Sequence, residues 1–242
     1  MGFFQWLEGV VSHIQGMQRR QANVGQRVKE ASHHPLHNIT GGVEGTTLTH
    51  KIEKKPNQGK IAGVDSGFAG QSFYTLDIML LRTTGVCFEY ENGVLKTAHY
   101  EPENTSLPQP IINTQGLERE DFHQFVSLTR LQAEVQNAIT LIQKFRPRAC
   151  FIDGSLILHP SDKPGSESLL KKEYERTIAL FTQLYATAHQ HECMLIGAVE
   201  DSRSTRLGEW IHTHMNVDHG NEKMYDVPLM EHVLQPGERS LA

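Results

Sequence analysis

Between residues 59 and 199 the hydrophobic periodicity changes in a fixed order, and that order limits the fold more than any other property of the chain. Alternating segments come first. "KIAGVDSG" reads as a short strand that ends at Asp65, with Ser66-Gly67 as a turn. "SFYTLDIMLLRTTGVCFEYENGVLKTAHY" reads as further strands broken at Glu91-Asn92-Gly93, because Asn-Gly supplies the positive φ of a tight hairpin. "EPENTSLPQP" is expected to be a loop. Residues 117–145 then take the helical period, with Leu128, Leu131, Val135, Ala138, Ile139, Ile142 and Phe145 on one face. "RACFIDGS" is a strand and "HPSDKPGSE" a loop. Residues 168–191 are a second helix, whose apolar side is Leu169, Leu170, Tyr174, Ile178, Phe181, Leu184 and Tyr185, and "CMLIGAV" is a strand. Strands in a row followed by helix, strand, helix, strand predict an α/β fold. Its sheet is mixed, with antiparallel hairpins first and parallel crossovers after, and helices flank it.

The ends of the chain are less regular. Phe3, Leu7, Val10, Val11, Ile14 and Met17 recur at three- and four-residue steps, which predicts an amphipathic helix that docks on its own domain or meets a partner. Residues 20–58 are polar and read as a mostly irregular arm, with a short strand near 45–52. Residues 201–222 show no period. "DVPLMEHVL" starts a helix in which Asp226 is the N-cap or a first-turn residue. The expected division is an N-terminal helix and basic arm over 1–58, followed by one domain over 59–242.

Charge is divided unevenly. Residues 1–60 hold eight Lys/Arg against four Asp/Glu, a balance of +4 that leaves −9 for the rest of a chain whose net charge is −5. An acidic body repels phosphates, so contact with nucleic acid needs metal ions or a local basic channel. Mean hydropathy is −0.42, and no apolar run approaches the ~18–20 residues of a membrane span. The opening "MGFFQWLEGVVSHIQGMQRR" lacks the basic region and cleavage site of a secretory signal. Cys87, Cys150 and Cys193 stand singly in apolar runs, as buried free thiols of a reducing cytoplasm do.

Two aspartates, Asp65 and Asp153, each close an apolar run. Taken singly, each would accept hydrogen bonds from its own turn. Taken together at strand ends, where sites gather in α/β sheets, two carboxylates repel unless a cation lies between them. Oxygen donors of this kind suit Mg²⁺ or Mn²⁺. Glu134 falls about 240° around the helical wheel from a zero at Leu128, at the border of the buried face. It either reaches inward along the sheet or pairs at the surface with Arg130, four residues earlier.

The succession "VDSG", "LTRLQAEVQ" and "FIDGS" resembles the NurA nuclease family, over roughly 60–240 and including the ending "DVPLMEHVLQPGERS". The resemblance implies a ribonuclease H-like core, hydrolysis of DNA with Mn²⁺ or Mg²⁺, and Asp65, Glu134 and Asp153 as acidic metal ligands; Asp65, leaving the first and central strand, is the one expected to bridge two ions. Asp226, with Asp201 as its competitor, would be the later aspartate. It also implies a homodimer that works beside a HerA-type hexameric ATPase in resecting double-strand breaks. Family members are longer and carry a further metal-site histidine near the C-terminus. His212, His214 and His219 do not align with it, so a shortened or truncated member is expected.

Other candidates weigh less. Arg203 and Arg206 either grip phosphates or decorate a surface loop, and Lys171 and Lys172 form a solvated helix face. Phe68 is expected in the core, with base stacking as the alternative. His33, His34, His37, His212 and His214 lack zinc-site spacing. Two other functions fit the pattern. One is a non-catalytic module of the same fold that binds DNA or a partner ATPase. The other is a phosphotransferase of the actin/sugar-kinase fold, against which stands the absence of a Gly-rich phosphate loop with its Lys.

Overall fold

The computed structural model describes residues 2–32, 48–103, 107–114, 116–158, 162–165, 168–199, 202, 204–215 and 225–240. The chain divides into two units, one formed by Met1–Lys55 with Asp201–Ala242 and the other by Pro56–Glu200. The C-terminal segment thus groups with the N-terminal helix.

The larger unit is a mixed sheet with helices on one face. Its strands are β2 (Gly59–Ser72), β3 (Asp77–Glu91), β4 (Val94–Glu101), β5 (Gln109–Asn113), β6 (Ala149–Asp153) and β7 (Met194–Ala198). The order is β4-β3-β2-β6-β7, with β5 beside β3. β2, β3 and β4 pair antiparallel, and β2, β6 and β7 run parallel. This is the expected α/β, ribonuclease H-like class. The β3–β4 turn holds Asn92 at φ 52° and Gly93 at φ 80°, as Asn-Gly hairpins require.

Two departures concern strands. β2 does not turn at Ser66-Gly67. It continues to Ser72, and Asp65 pairs with Thr84 in the middle of a long hairpin. The small residues of "SGFAGQS" mimic a turn, but β3 lends them a partner, and pairing overrides local preference. β5 begins in the last two residues of the stretch expected to be a loop, continues beyond it, and pairs with Asp77–Leu81 of β3.

The helices α2 (Arg119–Phe145) and α3 (Lys171–Gln190) follow their predicted limits closely. Ala62, Val64, Cys87, Cys150 and Ile152 point to one face of the sheet and pack on Val135, Ala138, Ile139 and Ile142 of α2 and on Phe181 and Leu184 of α3. α2 stops at Arg146, whose left-handed backbone returns its N–H to the Ile142 carbonyl, and Pro147 prevents continuation. The buried side of α3 is Thr177, Phe181, Leu184, Thr187 and Ala188, whereas Leu169, Ile178 and Tyr185 are exposed. All three cysteines are buried free thiols. Burial pushes Cys150 up to about 12 and Cys193 to about 11, so neither is a nucleophile at neutral pH. Ile142, fully buried against β2 and α3 neighbours, is expected to lose about 2–5 kcal/mol on replacement by Ala, read as a lowered urea midpoint.

The smaller unit contains α1 (Phe3–Ser32), β1 (Thr49–Lys51), α4 (Arg206–Met215), α5 (Asp226–Val233) and β8 (Glu238–Ser240). α1 is about twice the length expected, because "QRRQANVGQRVKEAS" is rich in helix formers and Val24 and Val28 prolong its apolar seam. Val28 packs with Ile211, Leu229 and Val233, while β1 pairs antiparallel with β8. Phe3, Phe4, Trp6, Leu7, Val11, Ile14 and Met17 are exposed. The N-terminal half of the stripe is therefore not docked on its own unit. No described helix is long and apolar enough to cross a membrane.

Candidate active site

The parallel ladder between β2 and β6 ends at the pair Val64–Ile152. Asp65 and Asp153 each stand one residue beyond it. Alternation along β2 turns Asp65 to one face and Ser66 to the other, toward α2. On that side lies Glu134, only 2% exposed. The Ser66 hydroxyl donates to Glu134 Oε1. Arg130, one helical turn earlier, approaches the same oxygen at 3.4 Å and donates to Ser66 Oγ at 3.2 Å and to the Ser66 carbonyl at 3.4 Å. The two readings of Glu134 thus combine: it reaches inward and it pairs with Arg130.

Burial is the main cause that holds the Glu134 carboxyl above its usual range. The Ser66 hydrogen bond and the Arg130 charge oppose this, and the negative charges of Asp153 and Asp65 add to it. The trio is therefore electrostatically connected. A cavity of about 240 Å³ is lined by Glu134, Asp153, Arg130, Ser127 and Asp162. Asp65 lines a neighbouring groove of about 490 Å³ with Phe68, Leu80, Arg82 and Thr84. Among the described residues, no group of three or more His, Cys, Asp or Glu closes on a common point as a metal site would. As a donor set the trio fits a hard divalent cation: the oxygens are all carboxylate and their mutual repulsion favours a positive charge.

Asp153 is positioned by the turn after it. Gly154 takes φ 85°, and its N–H donates to the Ala198 carbonyl of β7 at 2.8 Å. Tyr185 of α3 donates its hydroxyl to the Leu156 carbonyl. Asp226 belongs to the smaller unit. It opens α5, and its carboxylate accepts the Gly208 N–H of α4 at 2.9 Å. Asp201, Arg203, His33, His34, His37 and His219 lie outside the described residues. His214 stacks on Trp210, with 4.8 Å between ring centroids. Phe68 is not a core residue, and Lys171 and Lys172 are exposed as expected. Sequence reasoning missed Ser66 as the direct partner of Glu134, and Asp162 as a further acid in the cavity. Ser66 was hidden because the strand was taken to end there, and Asp162 has no periodic context.

No family model matches this chain, and no curated protein does. Its backbone resembles the crystal structure of the NurA nuclease from Sulfolobus solfataricus. The TM-score is 0.55 at 11% identity, over 96% of this chain and 66% of that one. The fold is NurA-like. A second NurA structure matches at 12% identity over 88% of this chain and 46% of that one, with a TM-score of 0.40. A NurA bound to dAMP and manganese matches at 13% identity over 69% of this chain and 39% of that one, with a TM-score of 0.35. This chain spans less than two thirds of the length of each of these NurA structures. Only the first bears on the fold, and at such identity the likeness concerns the NurA-like backbone alone.

Proposed function

We propose that the protein is a metal-dependent deoxyribonuclease hydrolysing phosphodiester bonds. The observation that supports this best is the buried Glu134 lining one cavity with Asp153, at the end of the parallel ladder where Asp65 also stands, in a NurA-like fold. Asp65, Glu134 and Asp153 would hold Mn²⁺ or Mg²⁺. Bound there, a pair of such ions supplies a water ionised near neutral pH and positive charge beside the departing 3′ oxygen. The chain's own part is to fix the carboxylates. Ser66 donates to Glu134 from the strand, and the Gly154 turn holds the backbone next to Asp153. Arg130 offers a guanidinium to the same cavity, where it offsets part of the acidic charge.

The resemblance also supplies the partners. The exposed apolar half of α1 supports contact with a second copy, as a homodimer, or with a HerA-type hexameric ATPase in DNA end resection. A second reading, a non-catalytic NurA-like module that binds DNA or such an ATPase, is favoured by one observation. Glu134 is already satisfied by Ser66 and Arg130, and among the described residues no three acids close on one point. The test is cleavage of linear DNA by the wild-type chain. Cleavage with Mn²⁺ that stops with EDTA is expected. Absence of cleavage in Mn²⁺ and in Mg²⁺, by a folded chain that still binds DNA, gives the second reading.

A further inference from the structure

Ser127, Arg130, Leu131 and Glu134 share one face of α2, at helical spacing, and all four line the cavity that Asp153 and Asp162 also line. Among the described residues around it, Arg130 alone is basic. Its guanidinium is held on three sides. Nε donates to Ser66 Oγ at 3.2 Å. Nη2 donates to the Ser66 carbonyl and to Glu134 Oε1, each at 3.4 Å. The Phe68 ring lies against one flat face, with its centroid 5.3 Å from Cζ. A guanidinium that serves a carboxylate sets two N–H groups on its two oxygens. Here one nitrogen reaches one oxygen, at long range, and shares itself with a backbone carbonyl. Glu134 Oε2 and Arg130 Nη1 have no hydrogen bond or ion pair to any described residue, and neither is a buried unsatisfied atom. Both therefore open to the cavity.

A cation fixed by its neighbours, with one N–H end free beside the carboxylates, is a donor placed for an anion. We infer that Arg130 is a catalytic residue of the cleavage reaction, and that its Nη1 donates to a non-bridging oxygen of the scissile phosphate. The inference rests on the nuclease reading. In that hydrolysis the water oxygen bonds to phosphorus while the bond from phosphorus to the 3′ oxygen breaks. The electron pair leaves on the 3′ oxygen, and the proton that the water gives up ends there, so nothing is oxidised or reduced. Between the two, negative charge rests on the non-bridging oxygens, where a donor already fixed in place acts without reorganising. A guanidinium keeps its proton at any working pH. Arg130 therefore moves no proton and acts through charge and hydrogen bonding alone. Ser66 and Phe68 keep it from collapsing onto Glu134, which leaves Oε2 of that carboxylate open as well.

The experiment is single-turnover cleavage of end-labelled linear DNA, in excess protein and saturating Mn²⁺, by the wild type, Arg130→Gln and Arg130→Ala. The rise in melting temperature that Mn²⁺ alone produces is measured on each. Arg130→Gln is expected to cut roughly 100-fold more slowly per folded molecule, the scale of losing one such donor. Its Mn²⁺-induced rise in Tm should be at least that of the wild type, because the carboxylates are untouched and a competing cation is gone. Arg130→Ala should be slowed as much. Guanidinium chloride, far below the concentrations that unfold the chain, should restore part of its rate, and potassium chloride at the same ionic strength should not. Wild-type speed in both variants overturns the inference, and so does an equal response of Arg130→Ala to the two salts. A slowing that extra Mn²⁺ abolishes, together with a smaller Mn²⁺-induced rise in Tm, also overturns it, since Arg130 then only positions Glu134. No cleavage by the wild type in Mn²⁺ or Mg²⁺ defeats the nuclease reading and takes the inference with it. Full cleavage by the wild type and by both variants defeats the inference alone.

Discussion

Glu134→Gln is expected to lower Mn²⁺-dependent DNA cleavage by roughly 100-fold or more, the scale on which losing one electrostatic contact to a transition state registers. The variant should still fold. Gln keeps the volume of Glu, and its carbonyl can accept from the Ser66 hydroxyl as the carboxylate does. What it loses is charge. Asp65→Asn and Asp153→Asn should behave alike in the same assay, since each removes one negative charge of the set that acts on Glu134. Stability gives an independent reading of the same site. The folded Glu134 carboxyl sits above its unfolded value, chiefly because it is buried. Its contribution to stability is therefore full below the unfolded value and is lost as pH rises through the folded one. In EDTA the melting temperature of Glu134→Gln should thus gain on that of the wild type as pH rises above the ordinary carboxylate range. Mn²⁺ should reverse the trend, because it favours the ionised wild-type side chain. Undiminished cleavage by Glu134→Gln would remove it from the ligand set, and a Tm difference indifferent to both pH and Mn²⁺ would show that its ionisation is not held where this structure places it.

Much of this site can be read in the sequence, for identifiable reasons. The period of α2 is set by its own apolar residues, so the helical wheel puts Glu134 at the edge of the buried stripe before any packing is known. Its burial is a different matter. That follows from Ser66 lying beneath it, on a strand that "SGFAGQS" disguises as a turn and that only β3 makes regular. The hairpin at Asn92-Gly93 is legible because its cause lies within two residues. β1 falls within the short strand expected near 45–52, but β8 and its pairing are not legible in the same way: β8 is three residues long, and Ser240 meets Thr49 from the far end of the chain. α4 escaped notice because its apolar residues, Leu207, Trp210 and Ile211, are interrupted by charged and polar ones over barely three turns. The exposed half of α1 shows the converse. Period alone predicts an apolar face, but what covers it is a property of the fold or of a partner.

Gly197→Ala is expected to damage the site from a distance and to destabilise the larger unit by about 1–3 kcal/mol, the usual cost of overpacking. Gly197 pairs with Ile152, the residue before Asp153. A Cβ on it would lie 2.7 Å from the Gly154 carbonyl oxygen and 3.3 Å from both the backbone nitrogen and the Cγ of Leu156. Two of these three atoms are backbone, so no side-chain rotation relieves the clash. Either β7 retreats from β6 or the turn after Asp153 lifts. The Gly154 N–H to Ala198 bond resists the first movement, and the Tyr185 bond to Leu156 resists the second. Both routes shift Asp153, because Gly154 follows it directly and has a left-handed backbone that few other residues adopt. The expected result is a lower urea midpoint together with a loss of cleavage larger than the unfolded fraction explains. Comparison with Ile142→Ala separates the two effects. That variant loses stability through a cavity against the sheet, yet should keep its cleavage rate per folded molecule. If Gly197→Ala cleaves at the wild-type rate per folded molecule, then the close approach of β7 supports only the sheet, and Asp153 is positioned by something else.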